Sequence, residues 1–293
     1  MVISSGRVPA IAAEQPVICS TLESMRSVLC VAAVIMLVSS GSASVCRAQP
    51  TAILPNGLTA EEKLAGWELL FDGQTTTGWR SPSSVRFPEE HWTIEGGFLR
   101  TLARGNRASD IVTTRLYRNF ELSFEWKIAP GGNSGVKYLV GSSQKLVFED
   151  GKAPALEGTV SPGPDALFRE YTSGFEYQII DDERHPDKDV HTTRSGSLYS
   201  FIGPRENVVK PAGELNWSRV VVNGNVIEHW LNGVPVVVVD LTSAEFKSAA
   251  AKAPPRSQRA LNYLTREYPV ALVSHTGSVW FRSIKIRRLP TPH

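Results

Sequence analysis

The stretch Gly174-Phe-Glu-Tyr-Gln-Ile-Ile-Asp-Asp-Glu-Arg-His185 alternates apolar Phe175, Tyr177 and Ile179 with polar Glu176 and Gln178. A period of two is that of a β-strand with one face in a core and the other open. The strand runs into Asp181, Asp182, Glu183 and His185, so acids and an imidazole collect at one strand end. A rigid sheet presents acids, bases or metal ligands from such a position, and the stretch reads as the floor and rim of a cleft.

Outward from this strand the same rhythm recurs. Phe120, Leu122, Phe124, Trp126 and Ile128 alternate with Glu121, Ser123, Glu125 and Lys127, which predicts a long strand with one buried face. Short runs rich in aromatic and β-branched residues predict further strands: Trp67 to Phe71, His91 to Ile94, Phe98 to Thr101, Asp110 to Thr113 and Ser134 to Val140. The second half adds Ser197 to Phe201, Trp217 to Val222, Val226 to Leu231, Val234 to Asp240, Val270 to Ser274 and Val279 to Arg287. Asn223-Gly224-Asn225 and Asn232-Gly233 are hairpin turns, because both supply residues that tolerate positive φ. One helix is expected, opened by a capping box of Thr242 and Glu245 and closed at Pro254-Pro255. Strands without βαβ alternation predict an all-β fold, a two-sheet antiparallel jelly-roll sandwich with one short helix. Gly141 to Ser173 and Asp182 to Gly196 read as long loops flanking the opening strand.

The chain has 293 residues, enough for a broad core in one domain. With 31 Lys and Arg against 29 Asp and Glu it is nearly neutral, and no basic stripe is present to track phosphates, so nucleic acid is excluded as a partner. All 3 cysteines, Cys19, Cys30 and Cys46, lie near the N-terminus, which leaves no disulfide framework for the rest. Met25 and Arg26, apolar Val28 to Val38, and small residues up to Ala48 resemble a secretory signal cleaved near Ala48, too short in its apolar part to span a bilayer; a short membrane anchor and a lipid-attached Cys46 are the alternatives, the latter disfavoured by the bulk of Val45. The expected layout is an extension and signal over residues 1–48, a linker over 49–66 and the sandwich over 67–289, in a chain exported to the periplasm or beyond with no membrane span in its mature part. The oligomeric state is left open.

Several side chains carry candidate chemistry. Lys137 shares strand parity with the polar face and would stabilise a developing oxyanion beside Glu176, a general base or metal ligand; a surface lysine and an exposed strand glutamate are the plain alternatives. Tyr199 is a hydrogen-bond donor or a packing tyrosine. His275, at a strand end before a tight turn, is a second candidate base. Gln178, Asn133, Arg194 and Trp280 are expected to contact substrate. Asp181, Asp182 and His185 offer ligands to a divalent metal ion, although no fixed metal-binding spacing is present and a solvated acidic loop explains the same residues. His229 packs or binds in mid-strand, and His91 is structural. Nucleophile elbows and phosphate-binding glycine loops are absent, which removes most familiar hydrolases and nucleotide enzymes.

The phrases Trp67-Glu-Leu-Leu-Phe-Asp-Gly73, Trp92-Thr-Ile-Glu-Gly-Gly97, Gly132-Asn-Ser-Gly135, Gly174 to Asp181, Gly196-Ser-Leu-Tyr199, His229-Trp-Leu-Asn-Gly233 and Val279-Trp-Phe-Arg-Ser-Ile-Lys-Ile286 follow one another in a single order. Together they resemble the 3-keto-disaccharide hydrolase family. The resemblance implies a concanavalin A-like lectin or glucanase sandwich whose concave face binds carbohydrate, and cleavage of glycosides already oxidised at sugar carbon 3. It places Glu176, Gln178, Asp181, Tyr199 and His275 in the family's polar strand and terminal histidine motif. Here His275-Thr276-Gly277 stands where the family often has His-Gly-Gly. A ketone at carbon 3 acidifies the carbon 2 hydrogen, which opens an elimination route with later addition of water. Two other readings stand beside it: a non-catalytic sugar-binding module, and an ordinary glycosidase pairing Glu176 with Asp181 or Asp182.

Overall fold

A computed structural model of the chain describes residues 54–102, 107–152, 155–161, 163 and 166–292. The expected extension, signal and most of the linker lie outside the described residues. Two sheets make up the described part. The back sheet runs, in spatial order, Val234–Asp240, Val226–Leu231, Asn216–Asn223, Phe120–Ile128, Val279–Arg288, Phe98–Thr101 and Trp92–Glu95, with Trp67–Leu69 also paired to Val279–Arg288. The front sheet runs Trp79–Arg80, Ile111–Thr113, Ala271–Leu272, Asn133–Phe148, Leu167–Ile180 and Arg107–Ser109, with Ala155–Leu156 beside Asn133–Phe148.

Alternation decides which face of each sheet is buried. Phe120, Leu122 and Phe124 from the back sheet and Phe175, Tyr177 and Ile179 from the front sheet are all fully buried. They interlock edge to face, with the Phe124 and Tyr177 rings 5.5 Å apart and those of Phe120 and Tyr138 at 6.2 Å. The outer face of Phe120–Ile128 is covered as well. Glu121 is 5% exposed because Arg219 and Arg287 clamp its carboxylate from neighbouring strands.

A connected set of polar side chains threads this apolar core. Trp126 Nε1 donates to Ser218 Oγ (2.8 Å), Ser218 donates to Tyr177 Oη (2.8 Å), and Tyr177 donates to the Trp230 carbonyl (3.3 Å). His229 stands between the layers, with Nδ1 at 3.0 Å from the Gly196 carbonyl and Nε2 at 2.8 Å from Tyr138 Oη. A carbonyl only accepts, so Nδ1 carries the proton and Nε2 accepts from Tyr138. The histidine therefore ties the back sheet to the front sheet and to the segment beside the cleft.

Several expected boundaries move. Gly141 to Ser173 is largely strand: Asn133–Phe148 and Leu167–Ile180 pair from Ile180↔Asn133 out to Leu167↔Phe148. The Arg107–Ser109 pairing with Leu167–Ile180 is parallel, an exception in sheets expected to be wholly antiparallel. Ser197 to Phe201 is not a strand but a turn, with Ser200 at φ 66° and Leu198 bridging Tyr177 and Ile202. Ser243, not Thr242, caps the helix Ala244–Lys252, since the Thr242 hydroxyl is turned to Asp240. Proline suits the first turn of a helix, so Pro254-Pro255 ends one helix and starts another, Pro255–Gln258, followed by the 3₁₀ turn Arg259–Tyr263. Asn232-Gly233 makes its hairpin with φ of 50° and 89°, as its composition predicts.

Burial lowers the His229 pKa from 6.5 to about 4. The unfolded chain therefore takes up this proton first, so the stabilising contribution is complete above pH 6.5 and drains away as pH falls towards 4. At about 1.4 kcal/mol per pH unit the loss from this residue is about 3 kcal/mol. His229→Phe leaves Tyr138 Oη and the Gly196 carbonyl unsatisfied and is expected to cost about 2–4 kcal/mol at neutral pH. Urea unfolding at pH 7.5 and pH 5 should show this cost together with a shallower loss of stability on acidification than in the parent.

Candidate active site

The candidate site grows from one register. In the antiparallel pair of front-sheet strands, Glu176 stands opposite Lys137 and Gln178 opposite Gly135. Directly opposed residues share a face, so the polar side of the opening strand meets Lys137 across the ladder. A bulge between Ser173 and Phe175 then reverses the parity of one strand, and Leu139, at φ 52°, marks a matching irregularity in the other. Arg169, Tyr171, Glu176 and Gln178 thus line the same cleft, although they would face opposite ways on a regular strand. The cleft holds about 510 Å³ and is also lined by Asn133, Lys137, Leu146, Phe148, Tyr199, Arg256 and His275.

Lys137 is 7% exposed and held from beneath by Asp110, which is fully buried. Its Nζ lies 3.6 Å from Asp110 Oδ2 and 4.0 Å from Glu176 Oε2, and donates to the Thr172 carbonyl at 3.1 Å. Asp110 is itself fixed by Thr172 N (3.0 Å), Thr172 Oγ1 (2.7 Å) and Ser274 N (3.2 Å). Burial presses the Lys137 pKa down, but Glu176 and Asp110 outweigh it and hold the ammonium above its ordinary value. Glu176 answers in the opposite sense: burial raises its pKa, and Lys137 offsets only part of that rise. Its side chain is 14% exposed, and its carboxylate accepts no hydrogen bond from the described residues. A desolvated carboxylate without hydrogen bonds, next to a fixed cation, is suited to taking a proton.

His275 follows the strand Ala271–Leu272 into the cleft, with Nε2 at 3.3 Å from Arg169 Nη1 and 3.5 Å from Tyr171 Oη. Burial first, and then the charge of Arg169, lower its pKa from 6.5 to about 4. Its imidazole is neutral at physiological pH. Tyr199 Oη accepts from Arg256 Nη2 at 3.0 Å, leaving its proton free to donate. Gln178 Nε2 donates to Asn133 Oδ1 at 3.2 Å, which orients both amides on the cleft floor.

Other expected site residues lie elsewhere. Trp280 is on the back sheet, where its ring lies under Arg100 at 4.8 Å and its Nε1 donates to Glu95. Its neighbours Val279 and Phe281 fill the core, so strand parity turns Trp280 away from the cleft. Arg194 Nε donates to the Lys188 carbonyl and braces a loop. The three expected metal ligands form no common donor set. Asp181 accepts from Gly131 N and Glu183 N, Asp182 accepts from Ser195 N, and His185 Nδ1 accepts from Asp187 N as the cap of the turn Pro186–Asp189. Among the described residues no group of three or more His, Cys, Asp and Glu is placed to hold a metal ion. The acids at this strand end close turns. Sequence reasoning missed Asp110, Arg169, Tyr171, Phe148 and Arg256; the charged Asp110 at the start of an otherwise apolar run was the available signal.

A family model described as a 3-keto-alpha-glucoside-1,2-lyase-like domain matches residues 66–287. The chain belongs to this family. A curated relative from Bacteroides thetaiotaomicron, named 3-keto-disaccharide hydrolase, is 29% identical over 242 residues, covering 76% of this chain and 79% of the relative. A solved structure of a candidate glycosyl hydrolase from Parabacteroides distasonis is 27% identical, with a TM-score of 0.63 over 81% of this chain and 100% of that one. A second structure from the same organism, at 24% identity and a TM-score of 0.52, shares the fold. The family phrase Gly132-Asn-Ser-Gly135 has a local physical reason in this chain. A methyl group at Gly135 would collide with Glu176 Oε1 and stand 3.1 Å from its Cγ and Cδ.

Gly135→Ala should therefore leave the fold intact, because the far end of Glu176 can move, yet displace the carboxylate. An activity loss of about 10²-fold with a melting temperature near that of the parent is expected from paired kinetic and thermal measurements.

Proposed function

We propose that this chain, a glycoside-cleaving enzyme by its family, breaks the glycosidic bond of 3-keto-glycosides by proton abstraction and elimination in the Glu176–Lys137 cleft. The observation that carries the reading is the opposed pair: a buried carboxylate with raised pKa, free of hydrogen bonds, beside an ammonium fixed by Asp110. Glu176 takes the hydrogen from carbon 2, and the electron pair moves into an enolate whose charge rests on the carbon 3 oxygen near Lys137. The ketone re-forms, carbon 1 joins carbon 2 in a double bond, and the carbon 1 to oxygen bond breaks. Tyr199 is positioned to give the departing oxygen its proton. Water then adds across the new double bond, returning a hydrogen to carbon 2, for net hydrolysis.

These steps use the chain's own side chains, and Asp181, Asp182 and His185 accept backbone hydrogen bonds in the turns beyond the strand. An ordinary retaining or inverting mechanism would pair Glu176 with a second carboxylate; Asp181 and Asp182 do not line the cleft, and Asp187 is the other carboxylate that does among the described residues. The signal-like segment ending near Ala48 supports action outside the cytoplasm, and N-terminal sequencing of the protein from cell fractions tests it.

Glu176→Gln keeps the shape and loses the base, and turnover of a 3-keto-glucoside should fall by about 10²–10⁴-fold. Lys137→Met should cost about 10²–10³-fold through the unstabilised enolate. Because the base must be ionised and its pKa is raised, kcat/KM should rise with pH along a limb set by Glu176, above the ordinary carboxylate range. Lys137, held protonated, should impose no loss until strongly alkaline pH. A limb at the ordinary glutamate value, or an active Glu176→Gln variant, would contradict the assignment.

A further inference from the structure

The charges around the cleft do not balance. Lys137, Arg169, Arg256 and Arg259 face Glu176 and Asp187, and Lys137 is already matched by Glu176 and the buried Asp110. Elsewhere on the sheets arginine is matched to glutamate, as in Arg100–Glu95, Arg219–Glu121 and Arg282–Glu125. Among the described residues, Arg169, Arg256 and Arg259 have no carboxylate within 4.0 Å.

Arg169 is the most constrained of the three. Its guanidinium lies over the Phe148 ring at 5.8 Å, and Nη1 is directed at Tyr171 Oη (3.4 Å) and His275 Nε2 (3.3 Å). The other edge, Nε with Nη2, has no acceptor among the described residues and is not sealed from solvent. That edge presents two parallel N–H groups, the fork that receives a carboxylate or phosphate in bidentate fashion. Stacking on Phe148 and the contacts at Nη1 hold the fork in place before any ligand arrives, and Arg256 and Arg259 add positive charge at the mouth. Leu146 and Phe148 supply an apolar wall beside it.

We propose that the leaving group of the natural substrate is acidic and that its oxyanion is received by the Nε–Nη2 edge of Arg169. The inference rests on the 3-keto-glycoside reading and specifies the half of the substrate that departs. Arg169 touches Tyr171 and His275, so the anion is seated one side chain away from the reacting sugar.

The test uses 3-keto-glucosides of three leaving groups built on one three-carbon skeleton: glycerol, glycerate and glycerol phosphate. Both anionic substrates, or whichever oxyanion the fork prefers, should exceed the glycerol compound in kcat/KM by roughly tenfold or more, carried by KM and eroded by added salt. Arg169→Met should bring that ratio to within about twofold of one, whatever it does to turnover itself. Equal use of all three substrates by the parent, or an equal loss on all three in Arg169→Met, would overturn the proposal while leaving the 3-keto-glycoside reading in place. If none is cleaved, that reading fails, and calorimetric titration with free glycerate and glycerol phosphate decides the anion site separately. Binding that Arg169→Met abolishes supports the site; no binding, or binding that the variant keeps, overturns it.

Discussion

The cleft depends on one register, in which Glu176 is opposed to Lys137 across the two longest front-sheet strands. A slip of one residue would turn Glu176 into the core and Phe175 into solvent, so burial of Phe175, Tyr177 and Ile179 enforces the alignment that the proposed chemistry uses. The bulge after Ser173 adds the rest, bringing Arg169 and Tyr171 to the face that holds Glu176. Core packing and assembly of the candidate site are here the same constraint, which is why the proposed active centre can sit on strands rather than on loops.

Placing charge in so dry a position carries a desolvation cost, and the structure meets it in layers. Asp110 is satisfied by two backbone N–H groups and a hydroxyl, and its remaining charge falls on Lys137. Lys137 in turn has the Thr172 carbonyl as acceptor. Glu176 alone is left short of partners, and it is the group whose protonated form is favoured by burial. Ion pairs in a core add little net stability, so this arrangement suits the proposed roles of fixed cation and base better than that of holding the sandwich together. The sandwich is held by its aromatic layers and by the His229 link between sheets.

Much of the architecture was legible from alternation. Phe120–Ile128, Val226–Leu231 and Val234–Asp240 end where their apolar periods end. The hairpin beyond Gly141 was not, because Ser142, Ser143, Gln144, Thr172 and Ser173 give it no continuous apolar face, and its pairing is supplied by the partner strand. Glu176, Gln178 and Lys137 could be placed together because parity is a local property. Arg169 and Tyr171 could not, since a bulge shifts parity without a distinctive residue pattern. The acids after Ile180 misled for a related reason: a carboxylate that caps a turn and one that binds a metal look alike until the N–H groups around it are seen. Trp280 could be turned outward by parity, but only the strand order says which sheet carries it.

The central claim is that Glu176 removes the hydrogen from carbon 2, so that bond cleavage passes through a carbon 1 to carbon 2 double bond. Turnover of a 3-keto-glucoside in deuterium oxide, followed by proton NMR of the released sugar against a no-enzyme control, tests it most directly. The account predicts deuterium at carbon 2 of the product in step with bond cleavage, with both lost in Glu176→Gln. Product that keeps its original hydrogen at carbon 2 would show that the bond is broken by direct displacement at carbon 1 and would contradict it.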